Sequence, residues 1–309
     1  MNASNSTNPE LENKELFKSG HTACAGCGVS VGLRHIMKAA GPDTIVVNAT
    51  GCVEIFTTAF PRSAWAVPYI HCLFENTAPV AAGIVETLRA QGNDHTKVLI
   101  IAGDGASYDI GFGHLSGMLE RGHDVLYISY DNEAYMNTGV QRSGGTPWKA
   151  NTTTSQVGSV FKGKMQAKKP LTEIVAAHNI PYAATSTSAH YIDLQNKVKK
   201  ALAIKGPKFL NVLMTCVPGW GTEPSLSMQY LKDAVDTHVW PVYEIENGFL
   251  KMGLKPERKP IETYLKGQKR FKHLTPEDVA QIQKMVDEKW DSLLWREKCD
   301  QERKAALQK

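Results

Sequence analysis

Residues Lys97–Asn137 read KVLIIAGDGASYDIGFGHLSGMLERGHDVLYISYDNEAYMN. An apolar run, Val98–Ala102, stops abruptly at Gly103-Asp104-Gly105. About one helix of sequence later comes a second apolar run, Val125–Tyr130, which ends in Asp131-Asn132. Two short buried-strand patterns joined by a helix-length segment predict a parallel β-α-β unit. Sheets of that kind bind ligands outside the carboxyl ends of their strands. Asp104 and Asn132 stand at two such ends, so they are expected to point into one crevice. A carboxylate and an amide oxygen there suit a hard divalent cation whose shell is completed by phosphate oxygens. Gly103 and Gly105 would let a diphosphate come close to the backbone, where a Cβ would clash. A tight turn with a capping role accounts for the Gly-Asp-Gly tripeptide alone. The second strand ending at Asn132 favours the ligand-binding reading.

The flanking chain extends the same architecture. Upstream, Ser30–Ala40 reads as a helix with Val31, Leu33, Ile36 and Met37 on its apolar side, ended by Gly41-Pro42. Thr44–Thr50 reads as a strand closed by Gly51-Cys52, Ala66–His71 as a short extended segment and Ala78–Gln91 as an amphipathic helix. Downstream, Leu171–His178 and Ile192–Ile204 read as helices, and Tyr182–Thr185 and Lys208–Thr215 as strands, the second ending at Cys216. Alternating strands and helices predict an α/β chain with a doubly wound, mainly parallel sheet. Gln141–Lys169 has no periodicity, and a connection that long is functional or a binding surface. Beyond Pro218-Gly219-Trp220-Gly221 the pattern changes: 225–237 and 275–295 read as helical, and 250–274 as basic and loop-rich. There is no internal repeat. The expected divisions are a polar extended arm over 1–19, a main domain over 20–249 and a basic, partly helical tail over 250–309. That tail either wraps a partner or is a charged, solvated extension.

A chain of 309 residues accommodates one large or two ordinary α/β domains. The net charge of +4, from 35 basic and 31 acidic residues, is too weak to point to nucleic acid. No apolar run reaches about 18 residues, so no membrane span is expected. The polar start, Met1–Ser6, lacks the apolar core of a signal peptide, and the chain is expected to be cytoplasmic. In that compartment six cysteines point to metal or redox chemistry rather than structural disulfides.

Cys24 and Cys27 form a CxxC pair in a small-residue loop, and Cys52 and Cys216 each close an apolar strand. If Cys52, Asp104 and Cys216 share one edge of one sheet, four thiols meet there, provided that the CxxC loop folds over that edge. Four cysteines at one spot are a [4Fe–4S] or a structural zinc site. Isolated third and fourth ligands beside a cofactor crevice fit an electron-transfer cluster better. Cys72 and Cys299 have no such setting and read as a buried small hydrophobe and a surface thiol.

Gly103-Asp104-Gly105 with Asn132 resembles the thiamin-diphosphate motif, a GDG followed at a set distance by Asn. The resemblance implies that Asp104, the Asn132 side chain and the Ala134 carbonyl hold Mg2+ against the cofactor's diphosphate. Over about residues 18–275 the chain resembles the thiamin-diphosphate-binding β subunit of 2-oxoacid:ferredoxin oxidoreductases, with the pyruvate enzymes nearest. His21–Gly28, Ala49–Cys52, Leu73–Asn76, Gly103–Gly105 with Tyr108–Gly111, and Tyr130–Gly139 carry that likeness. It implies that Cys24, Cys27, Cys52 and Cys216 hold the [4Fe–4S] cluster nearest the thiamin. Gly51, Cys52, Asn76, Gly103, Gly105 and Ala106 would line the cofactor, and Asn137 would face the thiazolium and the substrate. Val29 departs from relatives that carry a Glu beside the thiamin, which weakens one contact.

The activity so implied is oxidative decarboxylation of a 2-oxoacid, with thiamin C2 as the nucleophile. Electrons would leave through the cluster to ferredoxin, and the acyl group would go to coenzyme A. Pyruvate leads, giving acetyl-CoA and CO2. Branched-chain 2-oxoacids, 2-oxoglutarate and oxalate (the last without coenzyme A) stay open, because the family's carboxylate-binding residues lie on the partner chain. The implied partners are an α subunit, which also supplies the activating glutamate, and a small subunit or domain with further [4Fe–4S] clusters. The chain alone is expected to be inactive, with neither nucleic acid nor membrane among its partners.

Other polar residues take plainer readings. His21 is expected to cap its loop, with a hydrogen bond to a cluster sulfur as the alternative, His71 and His114 to be buried and satisfied, and Trp148 and Trp220 to pack in the core or on a partner. The basic run Lys162–Lys169 is a solvated surface unless it draws an acidic ferredoxin or coenzyme A phosphates. Two rivals remain: a thiamin decarboxylase or synthase without redox chemistry, and a zinc-stabilised binding module without activity. Iron and sulfide analysis separates them from the redox reading.

Overall fold

The computed structural model describes residues 15–307, so residues 1–14 of the expected arm lie outside it. Its centre is one eight-stranded sheet in the order β2-β1-β3-β4-β6-β5-β7-β8. The strands are β1 (Thr44–Ala49), β2 (Tyr69–Cys72), β3 (Lys97–Gly103), β4 (Leu126–Asp131), β5 (Tyr182–Thr187), β6 (Lys208–Leu213), β7 (Tyr243–Glu246) and β8 (Phe249–Met252). The first six in that order are parallel, and β7 and β8 add an antiparallel edge.

The helices that matter here are α1 (Gly28–Ala40), α2 (Cys52–Thr57), α3 (Thr77–Ala90), α4 (Phe112–Glu120), α5 (Leu171–Ala176), α6 (Tyr191–Ala203), the single turn α7 (Val217–Trp220), α8 (Ser227–Asp236), the single turn α9 (Glu262–Leu265) and α10 (Pro276–Leu307). Alternation along the strands divides them between two layers. Val98 and Ile100 pack with α3, α4, α5 and α10, while Leu99 and Ile101 pack on the other face with α1, α2 and α6. Burial on both faces is why these strands read as unbroken apolar runs. A third apolar cluster, around Trp220, Leu231, Trp240 and Tyr264, closes the end of the sheet where β6 finishes. The expected doubly wound, mainly parallel sheet is therefore present.

Two expectations need correction. The segment read as a basic loop begins with a strand: β7 and β8 form a hairpin through Asn247 and Gly248, both at positive φ. The division expected at residue 250 thus falls inside a strand. The C-terminal helix runs 32 residues, to Leu307, and lies against the chain's own sheet. Trp290 and Leu293 are buried there, and Glu297 and Asp300 accept the backbone N–H groups of Met252 and Leu250, both at 2.9 Å. Those N–H groups belong to the sheet's last strand, so the helix carboxylates satisfy donors that an edge would otherwise expose. The N-terminal segment also joins the body, because Phe17 is buried and bridges to Trp65.

Candidate cofactor site

Four parallel strands, β1, β3, β4 and β6, release their carboxyl ends on one rim. Thr50–Cys52 follows β1, Asp104 follows β3, Asn132 follows β4 and Cys216 follows β6. A cleft opens there. Gly51, Cys52, Gly103, Asp104, Gly105, Ala106, Asn132, Ala134 and Asn137, all expected from sequence, line it. Asn76 does not; it precedes α3, with its Oδ1 buried and unpartnered.

Asp104 is 1 % exposed and accepts a hydrogen bond from Ser143 Oγ. Burial, and then the neighbouring Asp131 charge, hold its carboxyl well above the usual carboxylate range. The side-chain oxygen of Asn132 lies 2.8 Å from Asp104 Oδ1 and 3.0 Å from the Ala134 carbonyl oxygen. Three acceptors at that spacing need either the Asn132 amide turned so that its nitrogen donates to both, or one cation shared by all three. Adjacent oxygens around octahedral magnesium, at bonds of about 2.1 Å, stand about 3.0 Å apart. The donor set, with one carboxylate, one amide and one carbonyl, fits a hard cation that keeps room for phosphate and water ligands.

The glycines of this rim have a reason that sequence did not supply. A Cβ at Gly105 would overlap the ring of Tyr135, whose hydroxyl donates to the Gly105 carbonyl at 2.9 Å. At Gly51, with φ +154°, a Cβ would come 2.8 Å from the Tyr130 hydroxyl. The segment from Gly105 to Ile110 is a π-turn, a local widening that recurs at functional sites.

The CxxC loop does fold over the rim. Thr22 N–H donates to the Phe56 carbonyl in α2 at 3.0 Å, and Gly28 N–H to the Thr215 carbonyl at 3.1 Å. The loop is thereby pinned to the segments that carry Cys52 and Cys216. His21 stacks on Phe17, meets Phe56 edge-on and accepts from Ala23 N–H, a structural role as expected. Burial, and then the charges of Cys27 and Cys24, push the Cys52 thiol up to about 12, while Asn137 beside it draws it back. Burial also pushes Cys216 up to about 12, with Cys52, Cys27 and Cys24 adding to it. The four thiols therefore share one electrostatic neighbourhood. Among the described residues no three His, Cys, Asp or Glu side chains are gathered to metal-binding distance. The CxxC loop's bonds to Phe56 and Thr215 bring Cys24 and Cys27 to the segments that carry Cys52 and Cys216, and four thiols so placed suit an iron–sulfur cluster.

Beneath the rim runs a buried ionic network that sequence reading did not anticipate. Asp131 binds Lys168 at 2.7 Å and accepts from the Tyr108 hydroxyl at 2.6 Å. Glu133 binds the same Lys168 at 2.9 Å and Arg270 at 2.6 Å. Burial raises Glu133, but Lys168 and Arg270 outweigh it and hold the carboxyl below its usual range. Lys164 is buried too, donating to the carbonyls of Gly144, Thr146 and Ala167. In the basic run expected to be solvated, Lys164 and Lys168 thus turn inward, while Lys162 and Lys169 stay exposed. His71 and His114, expected to be buried, are exposed. Trp220 is fully buried, and Cys72 packs in the core. Val29, the departure from the resembled pattern, is a core residue of α1.

Comparison with known proteins bears on this arrangement. The family model for the C-terminal thiamine pyrophosphate-binding domain of thiamine pyrophosphate enzymes matches residues 49–212. Pyruvate synthase subunit PorB of Methanocaldococcus jannaschii is 50% identical over 288 residues, covering 91% of this chain and 97% of that protein. Ketoisovalerate oxidoreductase subunit VorB of Pyrococcus furiosus is 45% identical, covering 91% and 93%. In fold, the chain is similar to a 2-oxoglutarate:ferredoxin oxidoreductase from Magnetococcus marinus, at a TM-score of 0.57, 19% identity and coverage of 72% and 82%.

Proposed function

Because the chain belongs to the thiamin-diphosphate-binding subunit family of 2-oxoacid:ferredoxin oxidoreductases, we propose that it is the cofactor-bearing subunit of a pyruvate-oxidising complex. The complex would convert pyruvate and coenzyme A to acetyl-CoA and CO2 and pass electrons to ferredoxin. The observation that carries this reading is the meeting of the Asp104 carboxyl, the Asn132 side-chain amide and the Ala134 carbonyl in the same cleft as Cys52. Bound thiamin diphosphate supplies the nucleophile and electron sink for decarboxylation.

The chain's own residues would do the holding. Asp104, Asn132 and the Ala134 carbonyl would bind Mg2+, and the glycine-lined floor from Gly103 to Ala106 would take the diphosphate. Cys24, Cys27, Cys52 and Cys216 would hold one [4Fe–4S] cluster beside it. Asn137, exposed at the mouth of the cleft next to Cys52, would face the substrate. An α subunit and a small subunit with further clusters complete the assembly, and the cytoplasm is its compartment. The 45% identity to a ketoisovalerate enzyme subunit supports a second substrate, a branched-chain 2-oxoacid.

The test is an assay of the anaerobically prepared complex for ferredoxin reduction with pyruvate, 2-oxoisovalerate, 2-oxoglutarate and oxalate, each with and without coenzyme A. Iron, sulfide, magnesium and thiamin are measured in parallel. Coenzyme A-dependent turnover of pyruvate with iron present supports the proposal. Zinc in place of iron, or no thiamin bound, overturns it.

A further inference from the structure

The turn that carries Cys216 also touches the Asn132–Ala134 loop. Trp220, the last residue of α7, donates its indole N–H to the Asn132 carbonyl at 2.9 Å, and its own N–H to the Cys216 carbonyl at 2.8 Å. Between the two, Gly219 N–H donates to Cys216 Sγ at 3.4 Å. A Cβ on Gly219 would overlap Met136, which follows the loop, so turn and loop are in direct contact. Arg270 lies 4.0 Å over the Trp220 ring and binds the Glu133 carboxylate at 2.6 Å. Its remaining donors reach Tyr264 Oη at 3.0 Å and Gln268 Oε1 at 2.9 Å.

Glu133 adopts φ +73°, a left-handed conformation that a non-glycine residue keeps only where its surroundings impose it. Its carboxylate is met from two distant segments, by Lys168 and by Arg270. Asp131, Tyr108 and Tyr264 are the other titratable groups facing this network. Removing one partner of such a buried ion pair strands the other charge. The loop is thus held at three consecutive points: the Asp131 carboxylate, the Asn132 carbonyl and the Glu133 carboxylate.

Resting on the cofactor assignment above, we infer that Trp220 and Arg270 are positioning residues, which fix the cation-binding loop Asn132–Ala134 against the cysteine turn. Neither touches the cleft's reacting groups. They act by setting where the Asn132 and Ala134 oxygens stand, and by making the Cys216 turn and the cation loop one rigid unit.

The experiment compares the intact complex with Trp220→Phe, Arg270→Gln and, as an exposed control, Trp295→Phe. Trp220→Phe keeps an aromatic ring in the site but removes the N–H together with part of the buried indole. Three quantities are read: affinity of the thiamin-free complex for Mg-thiamin diphosphate by calorimetry, iron content with the spectrum of the reduced cluster, and hydrogen exchange over residues 130–139. Trp220→Phe should weaken cofactor affinity about fivefold to tenfold, the scale of one neutral hydrogen bond, with iron retained and exchange in the loop faster. Arg270→Gln should weaken it further, by about a hundredfold. Unchanged affinity and exchange in Trp220→Phe overturn the inference, even if thermal stability falls. A wild-type complex that binds no Mg-thiamin diphosphate or holds no iron overturns the cofactor assignment itself. If Arg270→Gln does not fold, Trp220→Phe alone decides.

Discussion

A methyl group at position 105 has nowhere to go, because the Tyr135 ring already fills that space. Gly105→Ala is therefore expected to push Tyr135 out, break its bond to the Gly105 carbonyl and weaken binding of Mg-thiamin diphosphate more than about tenfold. The fold should persist, since the position lies on the rim and not in the sheet. Calorimetry on the purified complex checks both. Asp104 and Asn132 were readable in the chain because their strands announce themselves by apolar runs. The tyrosines were not, because what fills a glycine's space depends on side chains that only folding brings together. Lys164 gives a second prediction. Burial pushes it from 10.5 down to about 8, so the folded state carries a penalty that is full below about pH 8 and is lost as pH rises toward 10.5. Relative to Lys164→Met, the wild-type chain should gain stability with rising pH across that window, by about 1 kcal/mol per unit. Urea unfolding at a series of pH values measures this, and a declining difference would contradict it.

The long C-terminal helix shows how an element can be misread while its residues are read correctly. Its charges suggested a solvated or partner-wrapping tail, yet Glu297 and Asp300 are spent on the backbone of β8. The hairpin before it was missed, although Tyr243–Glu246 alternates and Asn247-Gly248 is the pair that a tight primed turn favours. What could not be read was the helix's docking, because a face that mixes Trp290 and Leu293 with carboxylates does not show apolar periodicity. The central strands, by contrast, were visible because burial on both sides makes them continuously apolar. Two substitutions on this helix separate its inner from its outer side. Leu293→Ala should cost about 2–4 kcal/mol, because the side chain is 5 % exposed and leaves a cavity against the sheet. Trp295→Ala, at 69 % exposed, should cost less than about 0.5 kcal/mol. Denaturant unfolding of both variants gives the comparison, and equal losses would place the helix wrongly.

At the scale of the molecule, the cleft is built for holding rather than for activating. Among the described residues Asp104 is the one acid that lines it, and that carboxylate is engaged by Ser143 and by the Asn132 amide. Glu133 is the central residue of the loop, but Lys168 and Arg270 occupy both of its oxygens. No carboxylate lining the cleft is therefore left to protonate and deprotonate the aminopyrimidine of a bound thiamin. Under the proposed function, a partner chain would supply that group. Ile55, Leu73 and Ile110, on segments that border the cleft, are exposed, and such a partner would cover them. The isolated chain should then bind Mg-thiamin diphosphate weakly and show no pyruvate-dependent reduction of a viologen dye. Adding the partner subunit should restore reduction in proportion to the complex formed, and Leu73→Asp should lower that restoration while leaving the chain folded. Pyruvate-dependent turnover by the chain alone would mean that an acid outside this account activates the cofactor.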